Sequence, residues 1–263
     1  MTTLAAATTD TATMLRRRLR HLIRYPSLTI SLIGLPVVFL LLFVYVFGGT
    51  LGAGLGGGSG GRAEYTDYLL PGIVLFTICA AAQGTAISIA MDLNSGIIAR
   101  FRTMAIARSS VLTGHVLGST AQTLLGEVVV LGVAVAVGAR PTAGPSDWLV
   151  AAGLVLLVTL ALTWLSVALG LASKSVESAS NAPQLLILLP FLSSGFVPTD
   201  SLPGWMSWFA EHQPFTPVIE ALRHLLYGGP LGSDLAVAVG WCLGITLLAW
   251  AWARALYARR PVR

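Results

Sequence analysis

The chain has 263 residues and a net charge of +5, with 55% hydrophobic and only 10% charged residues. Its mean hydropathy is +0.80, whereas soluble domains carry roughly 25% charged residues; a water-soluble globule and a disordered chain are excluded. Cys79 and Cys242, both inside apolar runs, and four scattered His without a Cys-x-x-Cys pair leave no basis for a disulfide scaffold or a zinc cluster. What remains is an integral membrane protein.

The first 26 residues form a polar tail in which Thr13–Tyr25 has helical amphipathicity. Leu15, Leu19, Leu22 and Ile23 recur on one face, and Arg16, Arg20 and Arg24 form a stripe at i, i+4, i+8. Such a helix lies at a membrane interface with its arginines on anionic headgroups. A plain positively charged anchor explains the same residues.

Residues 27–256 read as a six-span domain, since a spanning helix needs about 20 mostly apolar residues. The spans are Ser27–Phe47, Asp67–Met91, Gly114–Gly138, Trp148–Ala172, Ala182–Val197 (short) and Asp234–Leu256. The first follows a basic stretch, as a signal peptide's apolar core does. It is too long for one and lacks a clean cleavage site, so a retained helix is expected. Residues 257–263 form a tail. Of the 16 Lys and Arg, 15 are Arg. Six spans put 13 of the 16 on the side shared by both termini and leave only Arg62, Arg140 and Arg223 opposite. The positive-inside rule then places both termini in the cytoplasm. The fold class expected is therefore an all-α integral membrane protein with six transmembrane helices.

Between the first two spans, Gly48–Gly61 is glycine-rich. It lacks the lysine of a phosphate-binding P-loop and reads as a flexible linker. Lys174-Ser175, the one Lys-Ser/Thr pair, has no glycine immediately before it, so no nucleotide site is expected in this chain. After the second span, Ile97, Phe101, Met104 and Arg108 fall at i, i+4, i+7, i+11. They make a short amphipathic helix that must dock on the bilayer or in a partner's groove. The segment Pro198–Ser233 holds Pro198, Pro203, Pro214, Pro217 and Pro230 along with Trp205, Trp208, Phe209 and Phe215. That composition fits short helices dipping partway into the membrane, with aromatics at headgroup level.

Several polar residues lie inside the spans. Glu127 falls near the middle of the third, where an acid costs about 2.5–3.5 kcal/mol on insertion scales and so must face protein or water. Ser119, Gln122 and Thr123 are its neighbours; Thr77, Gln83 and Ser88 add polarity to the second span, and Thr159, Thr163 and Ser166 to the fourth. A pathway for a transported molecule would use Gln122, Glu127 and Thr163, whereas interhelical hydrogen bonding explains most hydroxyls. Gly114-x-x-x-Gly118 and Gly240-x-x-x-Gly244 permit close helix packing within one subunit. An intramembrane serine protease is disfavoured, because Leu192-Ser193-Ser194-Gly195 lacks the leading glycine and nothing places a base beside the serine. An ion-coupled transporter and a non-transporting membrane scaffold remain as alternatives.

Two stretches carry a family likeness: Asp92, Gly96, Arg100-Phe101-Arg102, Met104 and Ile106-Ala107-Arg108; then Ser194-Gly195-Phe196-Val197-Pro198-Thr199, Leu202-Pro203-Gly204-Trp205, Gln213-Pro214 and Glu220-Ala221-Leu222-Arg223. With the span pattern, the chain resembles the type 2 ATP-binding-cassette export permeases, in particular the daunorubicin/doxorubicin-resistance branch. The family usually has proline where this chain has Ala105, which leaves the end of the short helix open. The resemblance implies a non-catalytic permease of a bacterial plasma-membrane exporter for a hydrophobic or amphipathic small molecule. It implies two permease copies, a homodimer in preference to a pair with a related permease though either arrangement fits, above two ATPase subunits that bind ATP and Mg; this chain itself would hold no cofactor or metal. Asp92, Gly96, Ile97, Arg100, Phe101, Arg102 and Met104 would form the coupling helix, and Leu15, Arg16, Leu19, Arg20, Leu22 and Arg24 the interfacial helix that also touches the ATPase. Pro198, Pro203, Trp205, Pro214, Glu220 and Arg223 would belong to a re-entrant segment at the outer mouth.

Overall fold

The computed structural model describes residues 26–55, 61–95 and 108–259, and among these the chain is helical with no strand. The first helix, α1 (Pro26–Leu42), runs through a π-helical turn, Phe43–Phe47, directly into α2 (Gly48–Leu55). The long α3 (Arg62–Asn94) is followed by α4 (Arg108–Val137) and α5 (Pro145–Ala172). Short pieces come next: α6 (Val176–Asn181), α7 (Gln184–Leu188) and a 3-10 turn at Leu189–Leu192. A second 3-10 turn, Thr199–Ser201, precedes α8 (Gly204–His212) and α9 (Phe215–Tyr227), and α10 (Asp234–Arg259) closes the chain.

Among the described residues, five helical stretches are long and apolar enough to cross a bilayer: Ile33–Gly54, Arg62–Asn94, Leu112–Val137, Pro145–Ala172 and Asp234–Ala258. They correspond to the expected first, second, third, fourth and sixth spans. The expected fifth, 182–197, is no continuous helix. Pro183 and Pro190 each remove a backbone donor, and the chain unwinds at Ser193–Val197. Even so, these pieces run antiparallel along α3. Gln83 Nε2 donates to the Ser180 carbonyl at 2.9 Å, Tyr68 Oη to that of Ser194 at 2.8 Å and Tyr65 Oη to that of Phe196 at 3.4 Å. Side chains of α3 thus accommodate carbonyls that a broken helix leaves open, the condition for irregular backbone buried at membrane depth.

The glycine-rich stretch also departs from the linker reading, because Gly48–Leu55 is helical. Glycine serves there as a close-packing residue: a Cβ on Gly52 would stand 2.5 Å from the Gly61 carbonyl oxygen, at the entry to α3.

α3 is the central element and packs against α1, α4, α5, α6 and α9; α5 in turn lies along α10. Its 33 residues span about 50 Å, well beyond a 30 Å hydrocarbon core. Leu69, Leu70, Ile73, Leu75, Phe76 and Ile78 are almost wholly buried. Leucines on the outside of the bundle (Leu125, Leu149, Leu247, Leu248) are more than half exposed, an inversion of the soluble pattern that suits a lipid surround. Gly240 and Gly244 on α10 lie on this open surface, and a Cβ on either would meet nothing within 4 Å. Among the described residues they make no close helix contact, which differs from the packing role that their spacing permits.

Candidate functional site

The expected site residues fall at three levels along α3. At its Tyr65 end, α9 contributes the ion pair of Arg223 with Glu220, with side chains 16% and 26% exposed. The same guanidinium donates to the Ser194 carbonyl at 2.7 Å and to that of Tyr68 at 3.4 Å, and lies 4.0 Å over the Tyr68 ring. Arg223 therefore joins three elements at once: α9, α3 and the unwound 193–197 stretch. Gly72 and Gly195 bring two backbones together beneath it, where a Cβ on Gly72 would stand 2.5 Å from the Gly195 oxygen. Phe39, Phe43, Phe76, Phe191 and Phe196 pack around this junction, with Phe191 and Phe196 stacked at 4.3 Å between centroids.

The prolines of the 198–214 stretch act as punctuation. Pro198 precedes the 3-10 turn, Pro203 precedes α8 and Pro214 precedes α9, positions where a fixed φ and a missing N–H cost nothing. Trp205 is 75% exposed and Trp208 63%, both on α8.

At the middle level, Glu127 on α4 is 7% exposed and Thr163 on α5 only 2%, whereas Gln122 is part-buried. Several hydroxyls here bond within their own helix. Thr77, Thr85, Thr123 and Thr159 each donate to the carbonyl four residues back on their own helix, which satisfies the hydroxyl without an interhelical partner. Gln83 is the cross-element bridge, to Ser180 and Gln184.

At the Asn94 end, His115 Nε2 on α4 lies 3.1 Å from Asp92 Oδ2 on α3. Asp92 belongs to the last turn of α3 and opens no separate short helix; α3 continues to Asn94 and is capped at Ser95. The pair thus ties together the two helices that flank residues 96–107. Gly96, Ile97, Arg100, Phe101, Arg102, Met104 and Ala105 lie outside the described residues, as do Leu15, Arg16, Leu19, Arg20, Leu22 and Arg24. Nearby, Gly170 of α5 is pressed against α3, where a Cβ would stand 2.7 Å from the Ala86 oxygen.

Sequence reasoning missed Tyr65, Tyr68, Gly72 and His115. The tyrosines occur at i, i+3 near the start of a span, a visible signal, but their acceptors are 131 and 126 residues away. His115 carried no local signal, since Asp92 lies across a connection.

The model of the ABC-2 type transporter family matches residues 9–227. The chain belongs to this family. It is a multi-pass permease of the ATP-binding-cassette class, and two of its relatives are named as permease proteins. It is 28% identical over 98% of its length to the daunorubicin resistance ABC transporter permease DrrB1 of Streptomyces coeruleorubidus, covering 87% of that protein. It is 30% identical over 68% of its length to DrrC of Mycobacterium tuberculosis, a permease named for doxorubicin resistance, covering 65% of it. ABC transporter G family member 20 of Dictyostelium discoideum is 28% identical over 72% of this chain, which covers 26% of that longer protein. The matched region of this ABC-2 permease includes the 92–108 stretch and the Arg223 junction.

Proposed function

We propose that the chain is the membrane subunit of an exporter for hydrophobic or amphipathic small molecules, driven by a separate ATPase. The observation that carries this reading is similarity along nearly the whole chain to a permease named for daunorubicin resistance. The broken pieces 176–197 make the fifth of six passes, so that both termini are cytoplasmic, as the arginine distribution requires. α8 and α9 are the re-entrant segment at the outer mouth. Two copies assemble above two ATPase subunits, which bind and hydrolyse ATP with Mg. The 92–104 segment seats in the ATPase, with Phe101 and Met104 as apolar anchors, and the leucine and arginine faces of residues 15–24 line the inner interface.

Work reaches this subunit through contact alone. The Asp92–His115 pair couples a push on the 96–107 connection to both flanking helices, and α3 carries it about 36 Å, from Asp92 to Tyr68, to the Arg223 junction. Opening there requires the Arg223, Tyr68 and Tyr65 bonds to exchange.

The test is co-purification of the tagged chain from its native membrane. A P-loop ATPase is expected in stoichiometric amount, and Phe101→Asp with Met104→Asp is expected to release it while the permease stays monodisperse. A well-folded permease with no ATPase, under conditions where other such complexes survive, would favour an ion-coupled transporter or a scaffold.

A further inference from the structure

One turn of the first crossing departs from α-helical winding. Phe43–Phe47 is π-helical, while Leu42 before it (φ −59°, ψ −50°) and Gly48 after it (φ −58°, ψ −29°) are α-helical. The helix therefore runs through the turn with one residue more than α-winding would use. The sequence Phe-Val-Tyr-Val-Phe contains neither Gly nor Pro, and Pro36, seven residues earlier, acts on the ladder upstream of itself. Contacts from elsewhere in the fold account for the turn. The Phe43 ring stands 5.0 Å from Phe196 and 6.3 Å from Phe191, centroid to centroid. Val44 is fully buried in the core. The Tyr45 ring lies 5.0 Å from the guanidinium of Arg62, the first residue of α3. The turn is thus held on one side by the broken 189–197 stretch and on the other by the entry to α3.

The extra residue decides which side of α2 meets α3. Gly48 and Gly52 are four apart and face the α3 entry: a Cβ on Gly48 would stand 3.1 Å from Arg62 Cγ, and one on Gly52 2.5 Å from the Gly61 oxygen, whereas one on Gly49 or Gly54 would meet nothing within 4 Å. Each residue of an α-helix turns the chain by about 100°. Were 43–47 wound as α-helix on a fixed α1, everything beyond would turn by that angle, and Phe47 and Leu51 would take the directions of Gly48 and Gly52. Space that rejects a methyl group takes neither a phenyl ring nor an isobutyl group, so α2 would have to leave α3. The glycine pair therefore fits the π register and not the α register. Thr50 Oγ1 donates to the Phe47 carbonyl at 3.0 Å, which gives a carbonyl at the seam a donor while the ladder changes register.

We propose that the Phe43–Phe47 turn is a register switch. With 189–197 in place, the Phe191 and Phe196 rings hold the turn in its π form and α2 rests on α3. When the Ser194 and Phe196 carbonyls leave Arg223, Tyr68 and Tyr65, the turn rewinds to α and α2 swings off the entry to α3. The switch goes beyond the permease reading and is independent of cargo and ATPase, since the contacts that set it lie within this chain.

The test is a spin-label distance between Gly49→Cys on α2 and Ser146→Cys at the start of α5, two exposed positions, in the full-length chain in lipid nanodiscs. Cys79 and Cys242 are buried and take no label. Phe196→Ala, which removes the ring against Phe43, is expected to move a large part of the distance distribution by about 5 Å or more, the displacement of a helix face turned through about 100°. Arg223→Met is expected to do the same by freeing the 193–197 stretch. Deleting Val46, which is 65% exposed, leaves a continuous α-helix that still points Gly48 and Gly52 at α3. In that background both substitutions are expected to leave the distance unchanged. Unshifted distances in Phe196→Ala and Arg223→Met overturn the proposal, even where the deletion variant fails to fold; a shift that persists in a folded deletion variant also overturns it. The permease reading stands or falls separately, because no ATPase, nucleotide or transported molecule enters the measurement.

Discussion

The two ends of α3 are gripped by different chemistry. At the Tyr65 end, three side chains hand hydrogen bonds to carbonyls of an unwound stretch, and the Gly72 and Gly195 backbones touch. At the Asn94 end the described residues show an apolar cluster (Ile89 with Leu112, Val116, Val167 and Leu171), Gly170 set against Ala86 and the partly exposed Asp92–His115 pair. Apolar side chains slide past one another at little cost, whereas a carbonyl that loses its donor in an apolar surround forfeits a whole hydrogen bond. A helix held in this way pivots at one end and is latched at the other, which suits a lever that takes force near residues 96–107 and releases a closure far away.

The most severe test of that contrast is a single methyl. Gly72→Ala is expected to cost about 3 kcal/mol, at the top of the range for overpacking, because the obstacle is backbone on both sides. Gly170→Ala meets the Ala86 oxygen at 2.7 Å and the Ile89 side chain, and is expected to cost less because α5 can shift; Gly49→Ala, in open space, serves as the control. Melting temperatures in detergent rank the three. Equal losses at Gly72 and Gly170 would erase the distinction between latch and pivot.

Removing the charge at the latch comes next. Arg223→Met leaves the Glu220 carboxylate without its partner and the Ser194 carbonyl with Tyr68 alone, for an expected loss of about 2 kcal/mol. It should also raise protease sensitivity around residues 193–203, and limited proteolysis would show it. The smallest effect is expected at the far end. Asp92→Asn should lower stability by about 0.5 kcal/mol, since its partly exposed pair is screened by solvent, yet it should reduce ATP-driven transport by loosening the two helices around the connection. A stability loss as large as that of Arg223→Met would mean that both ends are latched.

Much of this was open to reading beforehand. Long apolar runs located α1, α3, α4, α5 and α10 because lipid demands length and hydrophobicity that no other environment does. The Ser194–Thr199 and Glu220–Arg223 stretches were singled out, and they meet at the junction. Their mode of meeting was hidden, because Tyr65, Tyr68 and Gly72 find partners more than a hundred residues away and hydropathy is blind to which carbonyls a break will expose. Run length likewise marked 182–197 as a span, although Pro183 and Pro190 break it into short pieces. The glycines of 48–55 suggested looseness. In the structure they continue a helix, since their missing side chains let α2 lie against the entry to α3.

The broken stretch also sets an order of manufacture. Released alone into lipid, the residues from Val176 to Val197 would present the Ser180, Ser194 and Phe196 carbonyls to hydrocarbon. Their donors, Gln83, Tyr68, Tyr65 and Arg223, are made both before and after them. Tyr68 leaves the ribosome 126 residues ahead of Ser194, and Arg223 follows 29 residues later. The segment therefore gains its full set of donors only when α9 emerges beside a finished α3, and depends on its neighbours for its place in the bundle.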